Sequence, residues 1–183
     1  RLAEDLLVFT DEDHRYLARV LRLEPGARVT LFDGAGAEAV AEVARVGPRA
    51  IEIRVIERRR AERPEGPAVT LIQSLPKGEK LDLVVQKATE LGVSRIVPAQ
   101  AARSIPQVDP RRSAGRLARW RKIAREAARQ CGRADLPEIA EITPLGEALS
   151  AAPAAALRLL LWEGALAHPL RPLLLEAAAA PPP

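Results

Sequence analysis

The sequence predicts an α/β protein in two parts, a small β-rich unit followed by an open parallel sheet with helices on its faces. Three observations predict it. Up to about residue 60, short runs of alternating apolar and polar residues are separated by tight turns. A charged, proline-bearing stretch from Arg58 to Pro67 then interrupts the pattern. Beyond it, short apolar runs alternate with segments of helical period, as βαβ units require.

In chain order, Leu6 to Phe9 is a short strand, and Thr10 or Asp11 caps a helix that continues through Leu21. Leu17, Val20 and Leu21 give that helix its apolar spacing. Glu24-Pro25-Gly26 turns the chain, and Arg28 to Asp33 alternates as a strand. Gly34-Ala35-Gly36 makes a hairpin turn into a strand from Glu38 to Val46. After Gly47-Pro48, Ile51, Ile53 and Val55 alternate with polar neighbours. Consecutive short strands of this kind suggest a small barrel over residues 1–60, with a linker at 61–67 and the second unit at 68–183.

In that second unit, Val69 to Leu75 is an apolar strand. Glu79 to Leu91 is a helix with Leu81, Val84, Val85, Ala88 and Leu91 on one face, and Gly92 sits where a helix ends. Ser94 to Pro98 is the next strand, Pro110 to Cys131 a long helix, Leu157 to Trp162 a third strand and Leu170 to Ala180 a last helix. The closing prolines read as a linker, since three in a row join neither a helix nor a central strand.

Composition narrows the function. The chain has 183 residues, 48% of them apolar, yet no run approaches the roughly 20 residues of a membrane span. No signal peptide is visible. One cysteine, Cys131, excludes an internal disulfide, and with His14 and His168 it cannot build a Cys/His zinc site. The expectation is a cytoplasmic protein with no metal and no membrane partner. The absence of methionine and the start at Arg1 lead us to expect a trimmed N-terminus. The net charge of +4 is carried almost wholly by arginine. It has two readings, a nucleic-acid partner or the arginine bias of a GC-rich genome, and the distribution of charge decides between them.

That distribution is uneven. Along the helix from Pro110 to Cys131, Leu117, Trp120, Ile123, Ala124, Ala127, Ala128 and Cys131 share one face. Arg119, Lys122, Glu126, Arg129, Gln130 and Arg133 form an opposing stripe. Ten basic residues fall between Arg103 and Arg133, opposed nearby only by Asp109, Glu126 and Asp135. A solvated face would intersperse acids with bases, so RNA or phosphate contact is favoured. The loop Leu75-Pro76-Lys77-Gly78-Glu79 follows a strand at the edge where α/β sheets bind ligands, although an ordinary turn needs the same residues. Gly34-Ala35-Gly36 lacks the third glycine of a dinucleotide site, and no P-loop or serine elbow is present. His14 reads as structural or surface, and Cys131 as a small core residue.

Four blocks add a resemblance. Tyr16-Leu17-Ala18-Arg19-Val20-Leu21-Arg22-Leu23 with Gly26, Lys77-Gly78-Glu79-Lys80 with Gln86-Lys87-Ala88-Thr89-Glu90-Leu91-Gly92-Val93, Arg103-Ser104, and Glu126-Ala127-Ala128-Arg129-Gln130-Cys131-Gly132-Arg133 stand in order and register. Together they resemble the bacterial ribosomal RNA small subunit methyltransferase E family. The resemblance implies a PUA-like N-terminal β-barrel for RNA and a SPOUT-type, trefoil-knotted α/β domain that forms a homodimer. It implies methylation of uracil N3 in 16S ribosomal RNA of the small ribosomal subunit, from S-adenosyl-L-methionine, with RNA and not DNA as partner.

The chain departs from the family's pattern. It lacks the Gly-Pro-Glu-Gly-Gly strand end and the Leu-Arg-x-Glu-Thr-Ala stretch that tie the knot and hold the donor, so the chain alone is expected not to hold S-adenosyl-L-methionine properly. Ala27 stands where an acidic residue is common. By resemblance and helix geometry, Arg103 and Arg133 would contact the target nucleotide, Gln130 would orient it, and Glu126 would brace those arginines or assist proton removal. An ion pair with Arg129 or Lys122 is the competing role for Glu126. Arg22, Lys77 and Arg129 would meet the RNA backbone, and Trp162 and Glu163 would approach the donor. Two rival functions are a non-catalytic RNA-binding module and a basic scaffold protein.

Overall fold

The computed structural model describes residues 2–61, 66–102, 110–153, 157–161 and 169–179. In the first part, alternation along two neighbouring strands puts Ala39, Ala41 and Val43 beside Ile51, Ile53 and Val55 on one buried face. Burying each large member of such a set contributes about 1.5–3 kcal/mol. The strands are β1 (Leu6–Thr10), β2 (Arg28–Phe32), β3 (Ala37–Val46) and β4 (Ala50–Arg60), antiparallel in the order β1-β4-β3-β2. Register shifts between Val40 and Ala41 and between Val43 and Arg45 curl the sheet over its core. The β2–β3 turn needs left-handed backbone at Gly34 (φ +82°) and Gly36 (φ +95°). Asp33 pins it by accepting from the Ala35 and Ala37 amides at 2.7 and 3.0 Å. Those amides, Ala35 first, hold the Asp33 carboxyl below its ordinary pKa.

The segment joining β1 to β2 differs from the expected single helix. An α-helical turn, α1 (Asp11–Arg15), passes into a π-helical turn at Tyr16–Val20. The Leu21 amide reaches the Tyr16 carbonyl and the Leu23 amide the Leu17 carbonyl, at 3.0 and 3.1 Å. Side-chain spacing cannot reveal this widening. Its consequence is that Leu17 and Leu23 both reach the sheet's core. His14 is buried with Nε2 2.9 Å from the Gly47 carbonyl, a structural histidine as expected.

The second part is a parallel sheet in which β6 (Arg95–Gln100) lies between β5 (Thr70–Ser74) and two short strands, β7 (Glu138–Ile139) and β8 (Thr143–Pro144). Helices α2 (Lys80–Glu90) and α3 (Pro110–Cys131) cover one face, packing Leu81, Val85, Leu117, Trp120 and Ala124 against Ile96 and Ile139. Helix α4 (Leu145–Ser150) covers the other, with Ala148 on Val97 and Ala99. Burial on both faces explains why β6 reads as a continuous apolar run.

Helix α5 spans Leu170–Ala179. The expected third strand is corrected: residues 157–161 form no strand, their leucines are exposed, and Trp162 lies outside the described residues. The edge of β6 away from β5 is paired by β7 and β8. No described helix is long and apolar enough to cross a membrane.

Candidate nucleic-acid interface

The apolar face of α3 is buried as its period requires, with one correction. Cys131 is exposed, because the helix ends there and Gly132 (φ +74°) turns the chain away before anything covers it.

The basic stripe is not a bare solvent face. Arg119 donates to Glu79 at 2.7 Å and also pairs with Asp82, which accepts from Trp120 Nε1 at 3.1 Å. The hydrogen bond from Arg119 draws the Glu79 carboxyl below its ordinary pKa, and Glu79 in turn raises that of Arg119. Lys122 pairs with Glu12 at 3.2 Å. Arg129 pairs with Glu126 at 3.2 Å and Asp13 at 3.9 Å, with its guanidinium 5.1 Å from the centre of the Tyr16 ring. Arg133 forks onto both oxygens of Asp135 at 3.0 and 3.1 Å, and its Nη1 donates to the Thr89 carbonyl at 2.9 Å. The local excess of base in the sequence is thus offset by acids from distant segments. The exposed Arg125 has no such partner among the described residues.

These contacts form a seam between the two sheets. At one end of it the Leu136 amide donates to the Gly34 carbonyl at 3.0 Å, so the β2–β3 turn docks on the chain just after α3. A Cβ on Gly34 would stand 3.0 Å from Leu136 Cδ1, so the end of that side chain would have to give way, and the left-handed backbone (φ +82°) favours glycine in its own right. At the other end, α1 and the π-helical turn face α3 across a cleft of about 350 Å³ lined by Tyr16, Arg121, Arg125 and Glu126, among others.

The residues singled out from sequence fall into two groups. Lys77 is exposed in the loop after β5, at the carboxyl edge of the sheet, where the Leu75 amide bonds the Ala99 carbonyl at 2.9 Å. Glu126, Arg129, Gln130 and Arg133 gather at the far end of α3, beside the seam; Gln130 is exposed, and the Arg133 side chain is only 12% exposed. Between Arg119, near the first group, and Arg133, fourteen residues of mostly helical rise amount to about 20 Å. One chain does not bring the two groups together. Arg22 is exposed, with left-handed backbone (φ +52°). Glu90 accepts from Lys87 at 2.8 Å and Gln86 at 3.1 Å, a bracing role, and the Lys87 bond lowers its pKa. Arg103, Trp162 and Glu163 lie outside the described residues. Sequence reasoning misses the seam residues Glu12, Asp13 and Thr89 as site residues. Their partners are remote in sequence, and only Thr89 falls within a motif block.

An antiparallel unit docked through a charged seam onto a parallel α/β unit defines a PUA-like domain joined to a methyltransferase-type domain. Residues 64–179 match the RNA methyltransferase domain family, and residues 9–56 match the RNA methyltransferase PUA domain. The chain belongs to the RNA methyltransferase family. It is 39% identical over 124 residues to a ribosomal RNA small subunit methyltransferase E from Mycobacterium bovis, covering 68% of this chain and 47% of the relative. It is 34% identical over 133 residues to the same-named protein of Bacillus subtilis, covering 73% and 52%. The crystal structure of a ribosomal RNA small subunit methyltransferase E from Neisseria gonorrhoeae bound to S-adenosyl methionine superposes with a TM-score of 0.75 at 31% identity, covering 90% of this chain and 70% of that one. The chain spans about half the length of the curated relatives it matches.

Neither the seam cleft nor the open hollow beside the β2–β3 turn lies at the carboxyl edge of β5 and β6, and the described part of that edge is the exposed loop carrying Lys77 and Gly78.

Proposed function

We propose that this chain is the RNA-engaging part of a small-subunit ribosomal RNA methyltransferase, acting in the cytoplasm on N3 of a uridine in 16S ribosomal RNA with S-adenosyl-L-methionine as methyl source. The observation that carries the reading is the ordered match of both domains of RNA methyltransferases, one on each sheet.

Uracil N3 carries a weakly acidic proton that must leave before N3 can accept a methyl group. Residues near the base then serve by holding it in place and by stabilising charge on its carbonyl oxygens. In this proposal Gln130 and Arg133 orient the target nucleotide from the end of α3. Glu126 fixes Arg129, and Arg129 fixes Tyr16 and the seam. By the family resemblance Arg103 would join Arg133 on the target nucleotide, Lys77 would meet the RNA backbone, and Trp162 and Glu163 would approach the donor.

The separation of these groups along α3 supports a site completed by a second copy of the chain, the homodimer expected from the resemblance. Donor chemistry belongs to the whole protein.

The test uses full-length protein and small ribosomal subunits lacking the modification. N3-methyluridine formation, read by mass spectrometry of digested 16S RNA, is expected with the parent and strongly reduced with Gln130→Ala. Mixing Lys77→Ala and Arg133→Ala proteins should restore part of the activity that each lacks. Absence of N3-methyluridine with the parent would refute the function; failure of the mixture to recover would refute the shared site.

A further inference from the structure

Each hydrophobic cluster lies wholly within one of the two units, so among the described residues no apolar core spans the seam. Units joined without such a core are ordinarily free to move against each other. Among the described residues, the backbone ties between them all run through the β2–β3 turn. Gly34 and Ala35 bridge to Asp135, and the Leu136 amide donates to the Gly34 carbonyl at 3.0 Å. The segment held in this way carries the carboxylate that takes the Arg133 fork. Nε, Nη1 and Nη2 of Arg133 each spend one N–H on Asp135 or the Thr89 carbonyl, so one N–H remains on each terminal nitrogen.

We propose that Asp135 is a positioning residue for methyl transfer, set in place by the β2–β3 turn of the first unit, and that it aims the remaining Arg133 donors at the target nucleotide. The proposal rests on the RNA methyltransferase reading and gives the PUA-like unit a second task, bracing the site of its neighbour. A donor stabilises developing charge best when its direction is fixed before the reaction, and a long arginine side chain left to itself has many directions. Two carboxylate oxygens fix the guanidinium plane, and the Thr89 carbonyl holds it from α2. Asp135 itself belongs to no helix or named strand of the second unit, so the turn supplies the support that regular structure would otherwise give. Asp33 stiffens that turn through the Ala35 and Ala37 amides.

The experiment measures kcat, and KM for small ribosomal subunits lacking the modification, with full-length protein and per folded molecule. Asp135→Asn should lower kcat about tenfold or more and leave KM within about twofold, because the lost orientation matters as charge develops on the base. Asp135→Glu keeps the carboxylate and should return kcat to within about threefold of the parent. Asp33→Ala, on the other unit, should also lower kcat. Combined with Asp135→Asn it should cost much less than the product of the two losses, since both act through one guanidinium. In the present chain, exchange of the Arg133 Nε proton with water, followed by NMR, should quicken in both variants, about tenfold for Asp135→Asn.

A merely structural Asp135 would lower the melting temperature and leave kcat per folded molecule at the parental value, which overturns the proposal. Losses that multiply in the double variant overturn the link between the turn and Arg133, as does unchanged Nε exchange in Asp33→Ala. Failure of the underlying reading looks different: the parent itself then forms no N3-methyluridine, while the exchange rates still report whether the turn holds the arginine.

Discussion

Arg133 is the residue whose replacement tests the architecture most directly. Its guanidinium makes two bonds to Asp135 and one to the Thr89 carbonyl, with side-chain exposures of 12% for Arg133 and 29% for Asp135. It therefore ties the end of α2 to the end of α3 and, through the Asp135–Leu136 backbone, to the Gly34 turn. Breaking a fully buried pair costs about 3–5 kcal/mol, and a single charged hydrogen bond contributes about 1.5–3. Because Asp135 retains some access to water, Arg133→Ala should cost about 2–3 kcal/mol. With a urea m-value of about 2 kcal/mol/M, the unfolding midpoint falls by about 1–1.5 M. Arg133→Lys should recover less than half of this, since an ammonium cannot reproduce the fork. A cycle with Asp135→Asn should give a coupling of about 1 kcal/mol or more. A midpoint for Arg133→Ala within about 0.2 M of the parent would show that the clamp carries no stability. In the full-length enzyme the same variant should lose methyl transfer far beyond what its unfolded fraction explains, as a nucleotide contact requires.

Three further outcomes follow from particular contacts. Gly34→Ala should destabilise by about 1–2 kcal/mol through its left-handed backbone, and by more if Leu136 cannot shift. Hydrogen exchange at the Leu136 amide should quicken in that variant, and unchanged protection would deny the docking contact. Glu79 and Glu90 both have folded pKa values below their ordinary range, so their contribution is present above the unfolded pKa and is lost as pH falls through the folded one. Melting temperature should therefore drop on acidification below about pH 4.5, less steeply in Glu79→Gln/Glu90→Gln; parallel curves would exclude these pairs as a source of stability. Cys131, exposed at the end of α3, should react stoichiometrically with a thiol reagent in the native state. Protection until denaturation would restore it to the core.

The elements of regular period are legible in the amino-acid sequence. The α3 boundaries, the apolar faces of α2 and α3 and the inward sets of β3 and β4 depend on repeats of 3.6 or 2 residues, which the local chain carries whole. The motif blocks from Tyr16 to Arg133 belong to the same category, and through them the family is readable. What escapes is whatever a second segment has to decide. Two-residue strands such as β7 and β8 have no period, while Leu157 to Leu161 has strand-like composition and no partner strand among the described residues. The π-helical turn is a matter of backbone bonding alone.

Charge shows the division best. Sequence places many bases along α3 and few acids near them; tertiary packing supplies Glu12, Asp13, Glu79 and Asp82 from segments remote in the chain. Periodicity is a property of neighbours along the chain, so the sequence by itself determines it. Electrostatic pairing acts over a few ångströms of space whatever the separation in sequence, so only the folded structure decides which cations are matched and which, such as Arg125, have no partner among the described residues.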